Sequence, residues 1–284
     1  MQLKHVETRY SRNFAYHAND TVIGNQLSEY GEYQQKEINL IINLIRNDNQ
    51  AAPVVWDVGA NIGVHTLAFA KNAKQVIAFE ANPQNFTVLK LNTQGKLAPN
   101  VKIINKAIGA PGVDTVMVES FDETVPGNYG AARVGTEIKK GTAVECRTLD
   151  SYLMELPVPT LVKIDVEGGE VDVLKGAKAM MMIVKPVIYM EAGEQEDISQ
   201  HYKILDKMNY KMWWYACPNF NPSNYKQNNI NYWSDSHIMS ILAIHKDVEG
   251  LEGIDLPPVT GPDDSWTRFC HNFNPIGQEN IADR

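Results

Sequence analysis

Five carboxylates stand at or near the ends of short apolar runs. Asp57 lies in Val54-Val55-Trp56-Asp57-Val58, and Glu80 closes Ile77-Ala78-Phe79-Glu80. Asp165 and Glu167 follow Leu161-Val162-Lys163-Ile164, and Glu191 ends Val187-Ile188-Tyr189-Met190. Apolar runs of this length, bounded by Pro53, Gly59, Gly168 and Pro186, read as buried strands. In an open α/β sheet, ligands collect outside the carboxyl ends of the strands, so acids placed there meet whatever binds. A carboxylate in that position can accept hydrogen bonds from ribose hydroxyls, take a proton, or ligate a hard cation.

Between the first two acids lies Gly59-Ala60-Asn61-Ile62-Gly63, followed by an apolar stretch from Val64 to Lys71. Strand, glycine turn, helix, strand and acid form a unit suited to an adenosine. Glycines permit a tight backbone, amides at a helix start face electron-rich groups, and the second acid accepts from the ribose. The spacing does not fit a dinucleotide, because Asn61 stands where G-x-G-x-x-G needs its middle glycine.

The remaining pattern, Asp57-x-Gly59-x-x-x-Gly63, resembles motif I of the class I S-adenosylmethionine-dependent methyltransferases. The wording Asp57-Val-Gly-Ala-Asn-Ile-Gly63-Val-His65-Thr66, with Phe79-Glu80-Ala81-Asn82-Pro83 after it, resembles the FkbM group of that class, as does Lys163-Ile-Asp165-Val-Glu167-Gly-Gly-Glu170. The resemblance implies a Rossmann-like class I methyltransferase fold: a mostly parallel sheet with an antiparallel last strand, plus an inserted β-hairpin. It implies S-adenosyl-L-methionine as cofactor. Asp57 and the turn residues Gly59, Ala60, Asn61 and Gly63 would hold its amino-acid portion, with Glu80 and Ala81 at the ribose. Asn105 and Ala107, after the third strand, would lie near the adenine, and Asp165 near the transferred methyl.

An alcohol barely ionises at neutral pH, so O-methylation needs a base or a metal. Asp165, Glu167, Glu191 and His65 are the candidates, and three of them are carboxylates able to hold Mg2+ through oxygen. By strand alternation Asp165 and Glu167 share one side, unless a turn begins at Glu167. Both acids, with Glu170, are also placed to cap the helix that follows. His65 reads equally as a helix-packing residue. The acceptor implied is a hydroxyl on a sugar, glycan or secondary metabolite. A nicotinamide-dependent oxidoreductase and a cofactor-binding module without catalysis are the competing classes.

Composition bounds the rest. A chain of 284 residues with 44% hydrophobic residues can form one α/β domain with a substantial core. A net charge of -8 disfavours non-specific nucleic-acid or anionic-membrane binding. There is no apolar run long enough to span a bilayer and no signal-peptide core at the N-terminus. Cys146, Cys217 and Cys270 are odd in number and far apart, which fits a reducing, cytoplasmic compartment. Nothing here sets an oligomeric state.

Three divisions are expected. Residues 1–35 form a cap segment with a short hairpin around Asn19-Asp20-Thr21, and Tyr30 or Tyr33 lines the pocket or packs on the sheet. Residues 36–247 form the methyltransferase domain. Within it, Ile38, Ile41, Ile42 and Ile45 make one face of a helix over 34–47. Residues 110–147 form an inserted antiparallel hairpin whose long tip carries Asn128 and Arg133 towards substrate or solvent. The aromatic, asparagine-rich stretch 217–234 is a lid suited to a polyhydroxylated ligand, or a polar loop. Residues 248–284 form an irregular tail along the surface.

Overall fold

The computed structural model describes residues 2–47, 53–95, 97–192, 198–248 and 254–269. The chain starts with an antiparallel hairpin, β1 (Leu3–Val6) and β2 (Phe14–His17), then α1 (Ile23–Tyr30) and α2 (Gln35–Asn47). The hairpin therefore precedes Asn19-Asp20-Thr21. Those residues instead lead into α1, where Asp20 accepts from the amides of Val22 and Gly24. The predicted isoleucine face of α2 is buried throughout. The ending at Asp48-Asn49 lies outside the described residues.

There follow β3 (Val54–Val58), α3 (Val64–Ala70), β4 (Gln75–Phe79), α4 (Pro83–Thr93) and β5 (Val101–Ile104). Asn82 caps α4, accepting from the amides of Gln84 and Asn85, with Pro83 at the first helical position. The inserted region holds β6 (Ala107–Ile108), β7 (Thr115–Glu119), β8 (Val134–Gly135) and β9 (Gly141–Arg147). β7 and β9 form the expected antiparallel pair. β8 joins the free side of β7, and β6 joins β9 in parallel, so the insertion is a four-stranded sheet rather than a bare hairpin. Pairs as short as β6 and β8 leave too few alternating positions to be read from sequence. The chain continues through β10 (Leu161–Ile164), α5 (Glu170–Lys175), α6 (Lys178–Ile183), β11 (Val187–Glu191), α7 (Ser199–Lys207), β12 (Tyr210–Pro218) and β13 (His237–His245).

The central sheet has seven strands in the order β12-β13-β11-β10-β3-β4-β5. β11, β10, β3, β4 and β5 pair in parallel, while β13 runs antiparallel to both its neighbours. This is the expected mostly parallel sheet with an antiparallel final strand. The strand order reverses between β3 and β10, the place where α/β sheets open a crevice. Every side chain of β3 and β10 is buried, as strands covered on both faces must be. One core face centres on Trp56, Phe79, Ile164, Met190 and Trp214. The other centres on Ile41, Ile45, Phe69, Tyr189 and Tyr215.

The N-terminal hairpin and α1 pack on α2, α3 and α4 through Phe14, Tyr16, Ile23 and Leu27. Of the C-terminal segment, residues 254–269 lie against the free edge of β12. Trp214 donates its amide to Pro257, and Val259 donates to Met212. Leu256 and Val259 are buried there, so this part of the predicted irregular tail covers an otherwise open sheet edge.

Candidate active site

A cleft of about 860 Å³ opens at the carboxyl ends of β3, β4, β10 and β11. Its walls carry Gly59, Ala60, Asn61, His65, Glu80, Ala81, Asp165, Glu167 and Glu191, so most of the sequence-predicted residues meet in one place. Asn128 and Arg133 from the insertion tip line it too, as do Tyr33, Asn219 and Trp233. Tyr30 does not. It is fully buried, its hydroxyl donating to the carbonyl of Ile230 and accepting from the amide of Tyr232. Glu32 binds the same 217–234 stretch, accepting from Asn221 Nδ2 and from the Tyr225 amide. The rim loop is thereby fixed to the N-terminal segment, which answers the choice between lid and loose polar loop.

At one end of the cleft stands Glu80, held by backbone amides. Its two oxygens accept from the amides of Asn61 and Asn82, both at 2.7 Å, so the carboxylate is aimed by backbone and not by another charge. Each oxygen keeps a further lone pair. Burial pushes its pKa up to about 7, against the pull of those two amides and of Lys163. Asn105 and Ala107 stand behind this wall instead of lining it. Asn105 donates to the carbonyls of Glu80 and Ala81, fixing the turn. Ala107 is buried in the core of the small sheet. Sequence spacing could not show that β6 would draw Ala107 into a second sheet.

Asp57 is likewise withdrawn. It is 0% exposed, accepts from Thr66 Oγ1 at 2.6 Å and faces Lys163 Nζ at 3.5 Å. Asp57 is therefore not among the residues that line the cleft. The turn amides are also committed: those of Gly59 and Ala60 donate to the Phe79 carbonyl, that of Asn61 to Glu80, and that of Gly63 to Ala60. The glycines serve packing. A Cβ on Gly59 would stand 1.7 Å from the Asp165 carbonyl oxygen, and one on Gly63 2.7 Å from Leu89 Cδ1; both residues have positive φ.

The other end is charged. Lys163 Nζ lies 3.1 Å from Asp165 Oδ2 and donates to the Gly59 carbonyl at 3.1 Å. Burial opposes its charge, but Asp165, Asp57 and Glu37 outweigh burial and raise its pKa. Asp165 is also opposed by burial, yet Lys163 holds its pKa below the ordinary value. Glu191 moves the other way: burial, then the Asp165 charge beside it, push its pKa far up, towards the protonated form. Ligand oxygens of Asp165, Glu167 and Glu191 lie within 4.8 Å of one another. That is an all-oxygen donor set of the kind a hard divalent cation takes.

Strand alternation does not bring Asp165 and Glu167 together. β10 ends at Ile164, and the chain turns through Glu167 at φ 56° and Gly168 at φ 96°. A left-handed residue in place of the next extended one redirects the side chain, and such strained positions gather at functional sites. Glu170 is the residue that caps this turn, accepting from the amides of Val166 and Gly168. That role leaves Asp165 and Glu167 to the cleft.

His65 lines the cleft while its Nε2 lies 3.2 Å from Oε1 of buried Glu37, whose Oε2 accepts from the Tyr189 hydroxyl at 3.1 Å. Tyr33 stands edge-on to the same imidazole. Burial, then the charges of Asp165, Glu191, Glu37 and Glu167, keep the Tyr33 phenol neutral by raising its pKa. Lys163 and Glu37 were missed as site residues. A lysine inside a strand that is otherwise apolar was a legible signal, since an unpaired lysine is almost never buried. Glu37, one position before the isoleucine face, offered none.

A Rossmann-like sheet of this order, with acids at the ends of its first, second, fourth and fifth parallel strands, defines a class I methyltransferase fold. The sequence matches the Methyltransferase FkbM domain over residues 57–212, more than half of the chain, and the protein belongs to that family. It is 30% identical over 167 residues to the Hexuronic acid methyltransferase AglP of Haloferax volcanii, covering 56% of this chain and 65% of that one. It is 28% identical over 143 residues to Methyltransferase 1 of Beauveria bassiana, covering 43% and 57%. The chain thus spans less than two thirds of the length of these curated relatives. Among solved structures, the methyltransferase FkbM of Methylobacillus flagellatus KT aligns with a TM-score of 0.43 at 17% identity, over 67% of this chain and 43% of that one.

Proposed function

We propose that the protein is an S-adenosyl-L-methionine-dependent methyltransferase that methylates a hydroxyl on a sugar, glycan or secondary metabolite. The carrying observation is the pairing, in one cleft, of an amide-aimed Glu80 with the Asp165, Glu167 and Glu191 cluster beside His65. A bound S-adenosyl-L-methionine supplies an electrophilic methyl on a sulfonium. Glu80 would take its ribose hydroxyls, with the Asn61 and Ala81 turns flanking it. Asp57 acts at second hand, by holding Lys163 and Thr66. At the opposite end Asp165 stays ionised under Lys163, and protonated Glu191 donates a hydrogen bond. The proton of the acceptor hydroxyl falls to Glu167 or His65. Asp165, Glu167 and Glu191 are the residues that would hold a Mg2+ if one binds, and it would supply Lewis-acid activation of that hydroxyl. Because methyl transfer is an in-line displacement, much of the rate comes from alignment of the acceptor by this wall.

The name of the archaeal relative and the Trp233 and Asn219 rim both favour a polyhydroxylated acceptor. The three basic residues from the insertion and α5 side of the cleft are each tied to an acid: Lys106 to Glu145, Arg133 to Glu119 and Lys175 to Asp172. The domain is proposed to run over 36–247, with 1–35 as cap and 254–269 as edge cover. A nicotinamide-dependent oxidoreductase lacks the middle glycine it needs, and a binding module without catalysis has no use for the acid cluster. Mass identification of a co-purified ligand, then methyl transfer to glycans with neutral and hexuronic termini, tests the proposal. Calorimetry showing NAD binding without S-adenosylhomocysteine binding would end it.

A further inference from the structure

We infer that Gln34 holds the amino-acid end of the cofactor in place of the motif acid. The inference rests on the S-adenosyl-L-methionine reading of this cleft. That end of the ligand is a zwitterion and needs polar partners. Asp57 is 0% exposed and does not line the cleft: Thr66 takes its Oδ2, and its Oδ1, with no hydrogen-bond partner among the described residues, faces Lys163 at 3.5 Å; the amides of Gly59, Ala60, Asn61 and Gly63 are spent within the fold. Gln34, in the connection before α2, lines the same cleft as Asn61 and His65. It is 5% exposed, and its buried Oε1 has no hydrogen-bond partner among the described residues. A buried amide left unpaired carries a penalty that a bound ligand removes.

Its backbone adds an independent observation. Gln34 adopts φ 49°, a left-handed conformation that glycine or asparagine takes with less strain. Among the described residues no contact rewards a glutamine side chain there: the carbonyl accepts from the Ile38 amide, a contact that any residue makes. A strained residue with an unspent buried amide in a ligand cleft is the pattern expected where strain is retained for binding. The amide offers two donors for the carboxylate and one acceptor for the ammonium, according to which way it is turned.

Two variants separate binding from folding. Gln34→Gly removes the amide and relieves the backbone; Gln34→Met removes the amide at nearly the same length and keeps the backbone strain. Calorimetry on the full chain would use S-adenosylhomocysteine and 5′-methylthioadenosine, which has the same nucleoside but no amino-acid end. Both variants are expected to bind S-adenosylhomocysteine about tenfold or more weakly, the scale of one lost hydrogen bond to a charged group, and methylthioadenosine unchanged. Gln34→Gly should melt no lower than wild type without ligand. Equal weakening for both ligands, or none for either, overturns the assignment to the amino-acid end. Wild type that binds neither ligand removes the cofactor reading, and this inference with it.

Discussion

The two ends of the cleft are built on different principles. At the Glu80 end one carboxylate is aimed by two backbone amides, and among the described residues no cation forms an ion pair with it. At the Asp165 end three carboxylates crowd together, one of them paired with Lys163, one pushed towards its protonated form and one held on a left-handed turn. A satisfied carboxylate binds without changing; a crowded set, in which one proton or one cation alters every neighbour, is where chemistry is done. The first end should therefore answer to mutation in affinity, and the second in turnover and stability.

The heaviest loss is expected from Lys163→Met. The ammonium is shared between Asp57 and Asp165, so its removal leaves Asp57 charged and buried with only Thr66 for company. Removing one partner of a buried pair destabilises by about 3–5 kcal/mol. A denaturant midpoint within error of wild type would show that the lysine does not bind the two ends together.

Asp165→Asn and Glu167→Gln should each lower turnover well over tenfold while leaving S-adenosylhomocysteine affinity near wild type, since general acid–base groups contribute about 10²–10⁴. His65→Ala should have the smaller effect if the carboxylates carry the proton or a metal, and the larger if the imidazole is the base. Titration with Mg2+ sharpens this, because a cation in the cluster must displace the proton from Glu191 and so release acid on binding. If turnover survives all three substitutions, the chemistry lies elsewhere.

Most of the Glu80 end was legible in the sequence because it is local. Gly59, Asn61, Glu80 and the Asn82-Pro83 cap fall within about one βαβ unit, where spacing dictates geometry. Even there the roles of the parts were not all legible. Asp57 and Gly59 match the motif, yet they face Lys163 and the Asp165 carbonyl, partners more than a hundred positions away. The charged end was legible as acids on strand ends but not as a constellation. The turn at Glu167, the support of Glu37 under His65 and the pinning of the rim by Glu32 all depend on tertiary contacts. The same reason hid β6 and β8, whose two residues each carry no period.

At the binding end, Glu80→Ala should weaken S-adenosylhomocysteine by roughly 1.5–3 kcal/mol, and it also strips the Asn61 and Asn82 amides of their acceptor. The wild type offers a gentler test through pH. The Glu80 pKa rises from 4.5 to about 7 on folding, so over that interval the folded chain keeps a proton that the unfolded chain has lost. Stability from this group is full below 4.5 and declines as pH rises through about 7. Affinity should run the opposite way, because ribose hydroxyls are better held by the carboxylate. Binding that tightens between pH 6 and 8 in wild type, but not in Glu80→Gln, is the expected outcome; parallel slopes would detach the ribose from Glu80.

The smallest effect belongs to the rim. Arg133 donates to Glu119 through Nε and Nη2 from an exposed position, beside Asn128 on the insertion tip. Solvent screens such an exposed pair, so Arg133→Ala should leave the melting transition almost unmoved. Its position on the cleft wall is another matter. If the insertion helps to hold the acceptor, the same substitution raises the acceptor KM while kcat and S-adenosylhomocysteine affinity stay put, the mark of lost binding common to ground and transition states. A KM unchanged across every accepted substrate would reduce this rim to scaffold. Recognition would then lie with other lining residues such as Tyr33, Asn219 and Trp233.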